Sequence, residues 1–468
     1  RAEMTARNFG LSREARVYLK AETTYKTGVM FDAAAIAPHK GGAKLDWNRT
    51  YTSVVERKDT VGVSEQVLDQ PDSSSFTFPT SYLKPSGTTG TEPDLAPLIK
   101  AAFGSQVGGG VVAGVVQASP APTTTGFTVV DGSVFAVGAP IRMTSGNTSG
   151  EVAFITAIST NALTIAPDLS EAPASTDGLV MGVGFYLTSE NIESLTAYHD
   201  LSNMMHGGSG IVINNLSVEV SRDGTVMISA DGPGSGTKSM VGTSTLDGGI
   251  NNSVTTLAVP TADADKFIID SNVPIWATIE AEGANTEEVV AITAKSGVSL
   301  TISRNADGNG ASAHGTAAVI KPWRPSVTKL GTPLACLTGD FEIDGSAFGI
   351  HTAKFSLSGG KALRESNFGE STANGPYVSG DNARGVVLDI SGKFEKDMLR
   401  KYNQAADGDA LAAWIKVGAT AGKIVAIYAP KWHPAVPSLD EGSGQIMHGF
   451  SGPCFETSGN DEIYFGIV

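Results

Sequence analysis

The sequence predicts a mainly β protein, with two larger β-sandwich or barrel domains, each flanked by a short α-helix, and two small inserted β modules. Three observations lead there. Glycine is abundant, at 55 of 468 residues, while only 17% of the chain is charged. Short runs rich in Val, Ile, Thr and Phe are bounded by Gly, Asn, Asp, Ser and Pro, as strands and turns require. The stretch EVAFITAISTNALTI, from Glu151 to Ile165, returns as EVVAITAKSGVSLTI from Glu288 to Ile302, identical at nine of fifteen positions. Solenoid and propeller units recur every ~20–50 residues so that each can stack on the next. Copies spaced 137 residues apart read instead as one small module used twice inside something else.

Taken in order, the flanking segments carry a second pattern. A strand pair is expected in AKLDWNRTYTSVVERKDTVGVSEQVL (Ala43 to Leu68), and another strand in SSSFTFPTSYLKP, where Phe76 and Phe78 alternate with polar residues. The helix PDLAPLIKAAFG follows. Asp94 is placed to cap it, Pro97 is tolerated in its first turn, Leu95, Leu98, Ile99 and Ala102 form its apolar face, and Gly104 stops it. A further strand, GVGFYLTS, starts at Gly182. The same order recurs downstream: LTGDFEIDG and GIHTAKFSLSGG, then RGVVLDISGKF, then a helix in FEKDMLRKYN with Phe394, Met398, Leu399 and Tyr402 at helical spacing. AWIKVGATAGKIVAIYAP closes it from Ala413. Both helices are expected to cover a sheet.

These patterns set the domain organisation. Residues 1–111 and 183–246 form a first, discontinuous domain, interrupted by a module at 112–182 that opens after Gly108-Gly109-Gly110. The run Asp231 to Gly249 has a linker's composition. A second module spans 247–320 and a second domain 321–468. Each module is near the lower size limit for independent folding.

The net charge is −15 and is unevenly spread: residues 112–320 carry 6 basic and 20 acidic side chains, the flanks together 27 and 28. Such a chain is a poor candidate for wrapping nucleic acid, which needs clustered Lys and Arg. Cys336 and Cys454 have the spacing of neither a metal site nor a redox pair, so two apolar thiols are expected. The longest uncharged stretch, Ala101 to Val130, is too rich in Gly, Ser, Thr and Pro to span a bilayer. RAEMTARNFGLSREAR lacks the apolar core of a secretory signal.

Motifs with chemistry are weak. Gly108-x-Gly110-x-x-Ala113 follows a helix rather than a strand, which favours a linker over a dinucleotide loop. Gly236-Thr237-Lys238-Ser239 resembles a phosphate loop but has the wrong glycine spacing. Asn305-x-Asp307-x-Asn309-Gly310 resembles half a calcium loop, yet Thr316 stands where a bidentate Glu is needed, so an Asx/Gly turn is expected. Asp263, Asp265 and Asp270 are read the same way. The closest histidines, His199 and His206, are expected in a Gly- and Met-flanked loop. Glu287-Glu288 and Asp461-Glu462 should alternate across strands rather than share a proton. No catalytic residue, metal ligand or cofactor is assigned.

Taken together, the flanks resemble the tail tube proteins of long-tailed bacteriophages. ARVYLKAETTYKTG (Ala15 to Gly28) is similar to that family's opening strand. SYLKPSGTTGTEPDLAPLIKAAFG (Ser81 to Gly104) is similar to its link of strand, Pro/Gly loop and short helix, and GNDEIYFGIV (Gly459 to Val468) to its final strand. The modules around Glu151 and Glu288 resemble small β inserts of phage structural proteins, the second with an Arg304…Ala313-His314 tail. The resemblance implies a virion protein, made in the bacterial host cytoplasm, that forms stacked rings around a channel for DNA. Two domain-like patterns resemble the double-domain tube proteins of some siphophages and imply three chains in a pseudo-hexameric ring. The implied partners are other copies of the chain, the tail terminator, the tape measure and tail-tip proteins, with DNA passing through the lumen without specific binding and no membrane.

Physical requirements agree. Strands joined edge to edge around a ring leave no unpaired edges, and head-to-tail stacking gives an open filament. A lumen should avoid Lys and Arg, which would retain phosphate. Thr52, Glu56, Thr77, Ser356 and Asp389, at alternating positions, are nominated as lumen-facing, the competing reading being that some face other subunits. The alternative function is a virion decoration or adhesion protein whose β modules bind host-surface glycans. In either case the two modules are expected to sit in or beside the scaffold and project outward.

Overall fold

The computed structural model describes residues 12–54, 65–68, 72–189, 192–222, 224–281, 286–327, 331–364, 376–378, 383–440 and 446–468. The protein is mainly β, with several antiparallel sheets, two curled half-barrels and few short helices. Its scaffold is the same arrangement built twice. The first unit uses β1 (Arg16–Ala21), β2 (Lys44–Asn48), β3 (Ser73–Tyr82), α1 (Ala96–Phe103), β4 (Leu195–Asp200), β5 (Met205–Ile211), β6 (Asn215–Ser221) and β7 (Met227–Gly234). The second uses β8 (Gly339–Ile343), β9 (Ile350–Ser358), β10 (Gly385–Lys393), α2 (Met398–Asp407), β11 (Leu411–Val417), β12 (Val425–Trp432), β13 (Ser438–Asp440) and β14 (Met447–Cys454). The final strand is β15 (Tyr464–Ile467).

The pairings match unit for unit. β1–β4–β5 in the first corresponds to β8–β11–β12 in the second. β2–β3–β7–β6 corresponds to β9–β10–β14–β13. Even a β-bulge recurs: the register slips between Leu195 and Ala197 against β5, and between Leu411 and Ala413 against β12. In each unit a two-stranded ribbon extends the first hairpin, Tyr51–Val54 with Glu65–Leu68 and Lys361–Leu363 with Pro376–Val378. The recurrence read from the sequence holds for β3 and β10 and the helices after them, but the counterpart of β8 is β1 rather than a strand of 43–68, and that of β11 is β4 rather than Val183–Leu187.

The units are welded by β6 pairing with β9 over seven residues, Asn215 to Ser221 against Ser358 to Thr352. β15 seals the other layer, between β12 of the second unit and the strand Val183–Leu187 of the first. Between the layers lies one apolar core, where Phe103, Phe185, Phe355 and Phe465 form a ring cluster with centroids 5.6–6.4 Å apart. Such aromatic contacts add to the area they bury.

The helices differ in detail from expectation. α1 begins at Ala96 with Leu95 at the cap position and no side-chain cap, so Asp94 does not cap it. Pro in its first turn removes one of the donors a cap would satisfy. Gly104, at φ 92°, ends it and donates to the Lys100 carbonyl. α2 begins only at Met398, so Phe394 precedes it. The buried face is Met398, Lys401 and Ala405, leaving Leu399 54% exposed rather than in the core.

The two modules are six-stranded antiparallel sheets of identical order, running through Val152–Ser159 and Ala162–Ala166 in the first and through Glu288–Ser296 and Ser299–Ser303 in the second. The repeated sequence is a repeated hairpin with the same bulge, between Ile155 and Ala157 and between Ile292 and Ala294. Thr156 and Thr293 each donate a side-chain hydrogen bond to the carbonyl of the partner threonine, Thr164 and Thr301.

Neither module simply projects outward. Val152, Ala153, Phe154 and Ile155 are all buried: Ala153 and Ile155 face the first module's own core, while Val152 and Phe154 pack with Trp414, Ala426 and Tyr464 of the second unit. In the second module Trp276 stands opposite Ala291, as Pro140 stands opposite Phe154 in the first. Trp276 lies 5.9 Å from Phe31 and 4.3 Å from Trp323, ring to ring. Both modules thus dock through the equivalent face. A strand apolar on both faces must be covered on both, and that requirement overrides the expected projection.

Candidate assembly surface

Along β2–β3–β7–β6–β9–β10–β14–β13 the scaffold presents one broad polar face. Strict alternation builds it: Leu216, Val218 and Val220 turn inward from β6 while Ser217 and Glu219 turn out, and the same holds for Phe355 and Leu357 against Lys354 and Ser356 on β9. Register aligns the outward residues into rows across the strands. One row runs Lys44, Thr77, Asp231, Asn215, Ser358; the next, Ser229, Ser217, Ser356, Val387; a third, Glu219, Lys354, Asp389, Ser451. Asn215 donates to Asp231 at 2.8 Å, and the Ser451 hydroxyl donates to Asp389. A shallow depression of about 320 Å³ at the β6–β9 weld is lined by Ser217, Ser229, Asp231 and Ser356. Among the described residues the outward charges of these strands are mixed in sign, Lys44, Lys354 and Lys393 against Asp46, Glu219, Asp231 and Asp389, with no basic stripe.

Thr77, Ser356 and Asp389 lie on this face, brought together from three separate strands. Thr52 lies apart from it, exposed on the Tyr51–Val54 ribbon. Glu56 lies outside the described residues.

The face ends in two strand edges. Among the described residues, β2 pairs only with β3 and β13 only with β14. Beside β13, Val436, Leu439 and Ile446 are 47–50% exposed; beside β2, Tyr51 is 50% exposed. Both ribbons leave the same side of the sheet, because β2 and β9, which lead into them, are four antiparallel pairings apart and so run in the same direction.

Lys361, at the base of the second ribbon, reaches into the first unit. Its Nζ donates to the carbonyls of Ala101 (2.8 Å) and Ala102 (3.0 Å) at the end of α1, and of Ile213 (3.0 Å). Its backbone N–H donates to Asn214 Oδ1 at 2.7 Å. Burial, with Arg384 nearby, pulls its ammonium down to about 8. At the base of the first ribbon, Arg49 holds Asp72 with two hydrogen bonds and keeps that carboxyl below its usual range. Sequence reasoning missed Lys361 and the β13 edge; the pair Gly359-Gly360 ahead of Lys361 was the one local hint of a close approach.

Other candidates resolve into local structure. The backbone of Asn309 donates to Asp307, an Asx turn, and Gly310 donates to Asn305 Oδ1, closing the wider loop around it. Asp263 accepts from Ser244 and pairs with Lys266. Among the described residues no three His, Cys, Asp or Glu side chains are placed to hold a metal. His199 and His206 are not in a loop: they face each other across β4 and β5, since the connecting turn is only Leu201 to Met204. Burial, then His206 and His39, push His199 down to about 4. Glu287 is exposed and Glu288 fully buried, but the expected alternation across a strand is not what separates them: the strand begins only at Glu288, and Asp461-Glu462 precede the final strand. The thiols of Cys336 and Cys454 are free, and burial raises both. No helix among the described residues is long and apolar enough to cross a membrane.

No protein-family model matches the chain, and no curated protein matches it.

Proposed function

We propose that this chain is the structural subunit of a phage tail tube, three copies closing a ring and rings stacking into a hollow channel for DNA. The carrying observation is the β6–β9 weld. Within the chain, the last strand of one unit's polar sheet pairs with the first strand of the next unit's. The equivalent strands, β13 and β2, sit at opposite ends with no partner of that kind. A second copy repeating the weld would join β13 of one chain to β2 of the next, and the apolar residues exposed beside β13 would be covered by the same contact.

The dimensions support closure. Each chain contributes eight strands to the polar sheet, and at about 4.8 Å per strand three chains give a circumference of roughly 115 Å. The backbone wall is then about 37 Å across, more if the strands tilt, and side chains still leave a bore wide enough for a duplex. Turned inward, the polar face offers hydroxyls and charges of balanced sign. Clustered cations would instead hold each phosphate and exact a release cost at every step. The ribbons, leaving one side of the sheet, would meet the next ring, with terminator, tape measure and tip proteins at the tube's ends and bore.

Negative-stain imaging of the purified protein tests this. Rings and stacked tubes with a central channel are expected. Protein that remains a single copy at high concentration and beside a tail-tip initiator contradicts it.

A further inference from the structure

The two units treat their helices unequally, and the difference names a contact between copies. α1 is buried on nearly every side, and its C-terminal carbonyls are held by Lys361, which follows β9 of the neighbouring unit. A cation there suits the negative end of the helix. α2 is its counterpart, yet it lies open. A groove of about 830 Å³ runs beside it, lined among others by Phe348, Leu399, Arg400, Gln404 and Asp407. Leu399 is 54% exposed there. Gln404 holds its Oε1 shielded from solvent with no hydrogen-bond partner among the described residues, an acceptor that a donor could satisfy.

In the chain, the segment that reaches the helix of the preceding unit is the one leaving β9. Its counterpart leaves β2, where Arg49-Thr50-Tyr51 occupies the place of Gly359-Gly360-Lys361. We infer that in the ring this segment of a second copy fills the groove beside α2, with Arg49 directed to the carbonyl end of the helix near Ala405, Ala406 and Asp407. Arg49 spends two of its donors on Asp72 and also hydrogen-bonds Tyr51, and a guanidinium carries five. The inference rests on the ring reading above, since β2 and β13 lie at opposite ends of one chain and cannot meet within it.

Paired cysteines test it. In a Cys336→Ser background, Arg49→Cys combined with Ala406→Cys should, on mild oxidation of assembled rings, give covalent dimers and closed trimers that neither single variant gives. Independently, Arg49→Glu should raise the concentration needed for half-assembly about tenfold, while Arg49→Lys leaves it near wild type. Rings that form normally but show no cross-link above the single variants, or an Arg49→Glu variant that assembles like wild type, overturn the contact and leave the ring standing. A wild-type protein that never forms rings overturns the ring reading and the contact with it.

Discussion

At the scale of single residues, Glu288 shows what the repeated hairpin is for. It is fully buried and accepts from Arg304 twice, from the backbone of Asn305 and Ser312, and from His314 at 3.2 Å. Arg304 in turn donates to the carbonyls of Asn251, Val254 and Ser312, so one ion pair ties the loops at 251–254 and 304–314 to the strand that begins at Glu288. Burial alone would raise the Glu288 carboxyl; the bonds from Arg304, Ser312 and Asn305 outweigh it and hold it below its usual value. Removing one partner strands the other charge in the interior. Glu288→Ala should therefore destabilise the module by about 3–5 kcal/mol, measured by denaturant unfolding at neutral pH. Because the folded carboxyl is the more acidic one, its stabilisation is complete above the unfolded value near 4.5 and is lost as pH falls through the folded value. The gap between variant and wild type should close in that window; a gap that widens there contradicts the assignment. The first module keeps the position, Glu151, but among the described residues its carboxylate accepts only from Ser170. The shared letter in the sequence did not reveal that one copy is a buried latch and the other a surface contact.

At the scale of elements, legibility followed distance along the chain. Alternation in SSSFTFPTSYL and RGVVLDISGK is local, so β3 and β10 and their outward residues Thr77 and Asp389 could be read directly. The repeated hairpin could be read from sequence identity, though the bulge that both copies share could not. The weld of β6 to β9 joins residues more than a hundred positions apart with no shared motif, and α2 was misplaced by one turn because Phe394 mimicked its first apolar position. Module docking was also hidden: Phe154 looks like any core residue of its own strand, yet it packs on Trp414 at 6.0 Å and Tyr464 at 5.5 Å. Phe154→Ala should cost about 3–5 kcal/mol. Limited proteolysis should then release the first module while leaving its own core, which Phe154 does not enter, protected. A module that stays as resistant as wild type would mean this face carries little of the docking.

At the scale of the whole molecule, the chain is an unfinished repetition. Two units with matching strand partners are joined once inside the chain, and the strands that would make the same join again are left at its two ends. Cyclic closure satisfies both ends with one interface used repeatedly. It also removes edges that would otherwise template aggregation. The modules, docked through equivalent faces on the layer opposite the polar face, leave that face clear. The most direct measurement is the mass of the isolated ring, by mass photometry or sedimentation. With a subunit of 48.2 kDa, the weld repeated three times predicts a discrete species of about 145 kDa. A ring of six chains, or a protein that never exceeds the mass of one, would contradict it.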